Sequence, residues 1–326
     1  MTIAMNAAKA FLQELRHPRR HSAKIIWTVL ALLLILIVIV IPEFIHPLNI
    51  ANVLQQMVPL GLVAIGQTFV ILGGGIDMSV GSQISLISLI ASTLMTDSIP
   101  NILFIVLLCM SCGIICGALN GFILKVFPMP PLIATLCTGY FFQGIAFALH
   151  KTSGGYIPPL FKKVLTASWG IISVPFVFYL FVFLLAAFIL YSTPFGRRVY
   201  ALGGNADVLE KSGVSVASVK LVTYIISSLL CSIVGLYLAA RLRSGSSHYG
   251  DEYTLLSITA TVVGGTSMAG GLGGLSGTLA GTILISMLTN VLNNIAFRYN
   301  LQSSYYKDII TGILLITAMY FYRKRE

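Results

Sequence analysis

The chain has 326 residues, 57% of them hydrophobic and 9% charged, with a mean hydropathy of +0.93, whereas soluble domains carry about 25% charged residues. Spanning helices of about 20 apolar residues each would use well over half of this length, which leaves too little for a soluble catalytic domain and excludes most enzyme classes. The net charge of +10 comes from 20 basic and 10 acidic residues; the basic ones stand between apolar stretches and at the ends, so they report membrane topology rather than affinity for nucleic acid.

The first 24 residues hold Lys9, Arg16, Arg19, Arg20 and Lys24, and an unbroken apolar run from Ile25 to Ile41 follows. The run is longer than a signal-peptide core, and Pro42-Glu43-Phe44 offers no small-residue cleavage site, so it predicts a retained first helix. Further apolar stretches at 54–72, 82–96, 102–124, 132–149, 175–191, 221–240, 255–270, 277–297 and 306–322 are each close to spanning length. The expectation is an all-α polytopic membrane protein of about ten transmembrane helices, in which 82–96 and 255–270 are short enough to be re-entrant or broken. With the basic N-terminus inside, Lys125, then Arg197, Arg198, Lys211 and Lys220, and finally Arg323, Lys324 and Arg325 fall on the same side, thirteen basic residues against seven opposite. That bias places both termini in the cytoplasm. The organisation is then a cytoplasmic segment at 1–24, a transmembrane domain at 25–322 with a cytoplasmic loop at 192–220, and a tail at 323–326.

Two glycine-rich stretches interrupt the apolar pattern. Gly73-Gly74-Gly75-Ile76-Asp77-Met78-Ser79-Val80-Gly81 contains the single acidic residue between Glu43 and Asp97. Glycine weakens a helix by about 1 kcal/mol relative to alanine, so the chain unwinds here. Asp77 then either accepts hydrogen bonds in a polar cavity or caps the helix that begins near Ser79. The second break runs from Gly264-Gly265 to Gly277, and the phrase before it, Thr259-Ala260-Thr261-Val262-Val263-Gly264-Gly265, echoes Thr68-Phe69-Val70-Ile71-Leu72-Gly73-Gly74. Interrupted segments in corresponding places are the trace of an internal structural repeat whose breaks face one another near a pathway; the other use of such glycines is close helix packing.

The loop at 192–220 has its own pattern. Pro194 can start a short helix through Arg197, Arg198, Val199, Tyr200 and Leu202, and Gly203-Gly204-Asn205 can end it. A second short piece from Ala206 to Lys211 ends at Gly213. A solvated basic loop explains the arginines but not Phe195, Tyr200 and the double glycine, so this loop is expected to dock against a partner.

Other polar residues within the spans, among them Gln67, Asn120, Thr135, Thr138, Asn290 and Asn293, either line a water-filled path or bond between helices. No series of Asp, Glu and His crosses the membrane, which argues against a proton-coupled pump. Cys109, Cys112, Cys116, Cys137 and Cys231 all lie in apolar segments with no histidine nearby, so they read as packing residues and no metal site is expected. Gly274-Leu275-Ser276-Gly277 has the form found around intramembrane serine nucleophiles, but none of His17, His21, His46, His150 and His248 follows Ser276, and that enzyme reading is rejected.

The segments together resemble the ribose-type permease family, the membrane subunits of ATP-binding-cassette importers for simple sugars. The matching phrases are Gly-Gly-Ile-Asp-Met-Ser-Val-Gly at 74–81, Ala-Leu-Asn-Gly at 118–121, Ile-Ala-Thr-Leu at 133–136, Phe-Gly-Arg-Arg-Val-Tyr-Ala-Leu-Gly-Gly-Asn at 195–205, Lys-Ser-Gly-Val at 211–214 and Val-Val-Gly-Gly-Thr-Ser-Met-Ala-Gly-Gly at 262–271. The resemblance implies a dimer of identical or related permease chains in the bacterial inner membrane. Gly74, Asp77, Ser79 and Gly81 would shape the pathway, with Gln67, Asn120, Thr135, Gly264 and Gly265 alongside. Phe195, Gly196, Arg197, Arg198, Tyr200, Gly203, Gly204 and Asn205 would contact a cytoplasmic ATPase, and a periplasmic sugar-binding protein would dock on the other face. The chain has no Gly-Lys pair and hence no phosphate-binding loop; no catalytic residue and no bound cofactor are expected, and ATP would sit on the partner. A branched-chain amino-acid permease of the same broad class and a self-contained channel or carrier stand as alternatives. The shortage of intramembrane charges for a zwitterion favours a neutral polyol such as a pentose, a hexose or a furanosyl signal compound.

Overall fold

The computed structural model describes residues 21–298 together with residues 309, 312 and 313. Residues 1–20 of the N-terminal basic segment, nearly all of the stretch at 306–322 and the tail lie outside the described residues. The helices are α1 (His21–Val40), α2 (Pro47–Leu72), α3 (Val80–Leu94), α4 (Ile99–Val126), α5 (Pro131–Leu149), α6 (Pro159–Leu165), α7 (Val174–Ser192), α8 (Pro194–Gly204), α9 (Ala206–Lys211), α10 (Val216–Leu242), α11 (Asp251–Val263) and α12 (Leu275–Arg298). Among the described residues, six of them, α2, α4, α5, α7, α10 and α12, are long and apolar enough to cross a membrane. The chain is thus an all-α membrane protein apart from a minimal hairpin, β1 (Ser168–Trp169) and β2 (Ile172–Ser173), that the periodicity did not signal. Gly170, at φ 63°, turns it.

Local chemistry sets the helix ends. Ser98, Ser173, Thr193, Asn205 and Ser215 each accept a backbone N–H two or three residues into the following helix, and α4, α7 and α8 carry proline in the first turn. The two stretches expected to be short form α3 and α11, with 15 and 13 residues, fewer than the roughly 20 of a full span. The second of them ends at Val263 rather than at 270, because Gly264 closes the last turn and Gly265, at φ 100°, turns the chain away.

Helix α10 is the axis of the bundle, packed against α4, α2 and α3. On α4, Gly113, Gly117 and Gly121 recur every four residues, and a Cβ on any of them would run into the backbone of α10 at Ser228, Ile225 or Leu221. This is the small-residue packing that lets helices approach where lipid supplies no hydrophobic drive. The opposite faces of α4, α5 and α7 expose Leu107, Ile115, Phe141, Phe181 and Leu184, a surface suited to hydrocarbon.

After α10, Arg243 turns the chain at φ 61°, and residues 244–250 run back along α3. Ser88 Oγ donates to the Ser246 carbonyl at 3.2 Å, and the Gly250 N–H reaches Ser85 Oγ at 2.9 Å. The loop after α5 joins them through paired Gly154 and Gly245 backbones. In the same loop Tyr156 donates to Asp97 at 2.8 Å, and that carboxylate holds the phenol above its usual titration range.

Candidate functional site

The first break lies between α2 and α3, and its conformation is held by side chains from three other helices. Asp77 is fully buried. Its Oδ1 accepts from the Ser79 N–H at 3.0 Å and from Ser79 Oγ at 2.5 Å, while Oδ2 accepts from Ser227 Oγ on α10 at 3.0 Å. The i to i+2 bond is an Asx turn: Asp77 shapes the residues just before α3, and its side chain is spent on that turn and on α10. Ser79 Oγ in turn accepts from Gln83 Nε2 at 2.7 Å and from Asn120 Nδ2 on α4 at 2.8 Å, and Asn120 Oδ1 accepts from Thr138 Oγ1 on α5 at 2.6 Å. Thr135 Oγ1, also on α5, donates to the Ile76 carbonyl at 2.9 Å and accepts the Met78 N–H at 3.0 Å. Every donor to Asp77 is neutral, so dipoles rather than a counter-ion stabilise the buried carboxyl.

The second break meets the first through the loop at 192–220. The Gly271 N–H donates to the Leu72 carbonyl at 2.9 Å. A Cβ on Gly270 would stand 2.9 Å from the Cα atoms of both Gly203 and Gly74, so three glycines from three segments share one spot that no larger residue fits. Helix α8 is amphipathic as its sequence implied: Gly196, Val199 and Leu202 are buried, and Arg197, Arg198, Gly204 and Asn205 are exposed. Tyr200 donates to the Gly273 carbonyl at 2.9 Å, and the Phe195 ring stacks on Phe69 with centroids 6.3 Å apart. A cleft of about 670 Å³ lies between α8 and the second break, lined by Tyr200, Gly203, Gly204, Ser267, Ala269 and Leu272.

Of the sequence-derived pathway residues, Asp77, Ser79, Asn120 and Thr135 fall in one network. The Gly81 N–H donates to Thr254 Oγ1 at 3.0 Å and so ties α3 to α11. Gly74 is exposed beside Gly203, and Gly264 packs against the backbone of Gly277 on α12. Gln67 is separate: it is buried on α2, and neither its carbonyl nor its amide has a hydrogen-bond partner among the described residues. Ser227 was missed, although Ser227-Ser228 stands out within the apolar run of α10. Among the described residues no cluster of three or more His, Cys, Asp and Glu side chains could hold a metal.

The model of the family described as "Branched-chain amino acid transport system / permease component" matches residues 49–319. The chain is 37% identical to the ribose import permease protein of Bacillus subtilis over 302 residues, 91% of each chain. It is 34% identical to the ribose import permease protein of Escherichia coli K12, over 90% of this chain and 92% of that one. It is 30% identical to the galactose/methyl galactoside import permease protein of Salmonella typhimurium, over 76% and 80%. No solved structure matches the chain. Two interrupted hydrophobic segments joined by an amphipathic loop helix, on a chain matched along most of its length, make this protein a member of that permease-component family and, within it, of the ribose-type permeases of ATP-binding-cassette importers.

Proposed function

We propose that the chain is the membrane-spanning subunit of an ATP-driven importer that carries a simple sugar, a pentose, a hexose or a furanosyl compound, across the bacterial inner membrane. The observation that carries this reading is the convergence of α8 on both breaks: Gly203 lies against Leu72, where α2 ends, and against Gly270-Gly271 of the second break. A push on the exposed side of α8 reaches the ends of α2 and α11 together. A cytoplasmic ATPase that closes on ATP and bears on the exposed Arg197, Arg198, Gly204 and Asn205, with Phe195, Gly196, Tyr200 and Gly203 passing the push inward, would rock the bundle as rigid bodies. The ATP chemistry belongs to that partner, and this chain contributes no catalytic group.

In this picture about ten helices with both termini in the cytoplasm form one half of a permease dimer, and the two breaks are corresponding parts of an internal repeat. Gly74, Asp77, Ser79 and Gly81 shape the pathway, Asn120 and Thr135 hold its walls, and Gln67, Gly264 and Gly265 adjoin it. A periplasmic binding protein delivers sugar to the opposite face. With so few charges in the spans, the passage suits a neutral polyol that must leave again readily.

The test is purification from mild detergent. The reading predicts that an ATPase and a second permease chain copurify and that the complex hydrolyses ATP. A chain that emerges alone and moves solute without ATP contradicts it.

A further inference from the structure

At the end of the bundle away from α8, a cavity of about 460 Å³ opens between α2, α10, α11 and α12, within the range of about 300–1,000 Å³ that holds small molecules. Its wall includes Gln56, Arg241, Glu252, Tyr253, Ser286 and Asn293. Ser286 is only 2% exposed, and its Oγ has no hydrogen-bond partner among the described residues, and neither has Gln56 Oε1. A buried polar atom left unsatisfied costs about 1–3 kcal/mol, and two residues that carry such atoms line this one cavity, which points to a ligand that supplies the missing bonds.

The surroundings define that ligand. Bonds between Thr68 Oγ1 and Thr278 Oγ1 at 2.7 Å, and from Asn294 Nδ2 to Asn49 Oδ1 at 3.3 Å, fix α2 and α12 antiparallel at both ends of their contact. Between those ends Thr278, Thr282, Ser286, Thr289 and Asn293 recur at helical spacing on α12. The Thr282 hydroxyl, one turn deeper than Ser286, is also buried and unpartnered. Arg241 and Glu252 bring opposite charges to the wall, so the cavity has no net attraction for an anion or a cation, and Tyr253 adds an aromatic side chain to the same lining.

We infer that this cavity is a binding station for an uncharged polyol, from which the Ser286–Thr282 stripe of α12 leads inward. The inference rests on the sugar-importer reading and assigns the substrate's contacts on the extracytoplasmic half to residues outside the Asp77 network.

The experiment uses the complete transporter in membrane vesicles with tritiated D-ribose and D-galactose as probes. Ser286→Leu fills the cavity and is expected to bring uptake down to the background level while copurifying with its partners as the parent does. Ser286→Ala is expected to raise KM by roughly fivefold, the worth of one hydrogen bond, with little change in maximal rate. Ser286→Cys is expected to react with a water-soluble thiosulfonate added from outside, over the background of the parent's own cysteines, and to be shielded by the transported sugar. Should Ser286→Leu fail to assemble, the shielding of Ser286→Cys decides. Uptake by Ser286→Leu equal to the parent's, or a thiol in Ser286→Cys indifferent to sugar, overturns the site alone. A parent that takes up no sugar overturns the sugar reading, and the site with it.

Discussion

The Gly271 N–H donates to the Leu72 carbonyl at 2.9 Å, and a Cβ on Gly203 would collide with both of those atoms. The last carbonyl of α2 is thus satisfied by the second break rather than by a cap of its own, and α8 closes over the junction. Gly203→Leu is expected to force α8 off this seat, so that ATP hydrolysis continues without uptake while the chain still inserts. A Cβ on Gly204 meets nothing within 4 Å inside the chain, so Gly204→Ala is expected to leave the seat of α8 intact, and any loss of uptake there reports contact with the ATPase. Paired ATPase and uptake assays check this; unchanged uptake in Gly203→Leu would remove the coupling role.

Asp77 is buried with three hydrogen bonds to its carboxylate oxygens. Asp77→Ala orphans those donors at once and is expected to destabilise the fold by about 3 kcal/mol and to abolish uptake. Asp77→Asn, which keeps one acceptor oxygen, is expected to retain part of both. Thermal unfolding in detergent with an uptake assay provides the check, and an alanine variant that melts and transports like the parent would contradict the structural role of the break.

Within the same network, Ser79 and Ser227 are not equivalent. Ser79 Oγ receives bonds from Gln83 and Asn120 as well as donating to Asp77, whereas Ser227 Oγ makes its one bond here by donating to Asp77. Ser79→Ala is therefore expected to cost about 2–3 kcal/mol and Ser227→Ala about 1 kcal/mol. Unfolding midpoints in the reverse order would show that the network is held together elsewhere.

Gly117 and Gly144 test the packing of α4 and α5. A Cβ on Gly117 would come within 2.6 Å of the Ile225 Cα and the Tyr224 carbonyl, whereas at Gly144 there is nothing within 4 Å. Gly117→Val is expected to lower the yield of folded protein severely and Gly144→Val to leave it nearly intact. Monodispersity in detergent reports the difference; equal yields would mean that α4 does not rest on α10 through its glycines.

Much of this architecture is legible in the sequence because spanning helices are written as apolar runs of the right length. The nine stretches that fall within the described residues all become helices, and the loop at 192–220 folds into α8 and α9 with the ends that Pro194, Asn205 and Gly213 mark. What the sequence hides is partnership across long separations. Ser227 reaches Asp77 across 150 residues, and nothing local distinguishes it from a serine that bonds to its own helix. For Asp77 the sequence offers a tight turn with the carboxylate as helix cap, or a polar group in a cavity; the turn is present, with Ser79 rather than Asp77 at the cap position, and it is held from α4, α5 and α10. The hairpin at 168–173 was missed for another reason: strands of two residues carry no period to read.

The central claim, that ATP binding outside this chain drives sugar through it, is tested most directly by uptake into proteoliposomes holding the complete transporter. ATP would be inside, on the side of α8, with the sugar-binding protein and tritiated D-ribose or D-galactose outside. The account predicts accumulation above the external concentration that requires ATP and disappears in Gly203→Leu. Equilibration of sugar without ATP, reached equally by parent and variant, would contradict it and make the chain a channel or carrier.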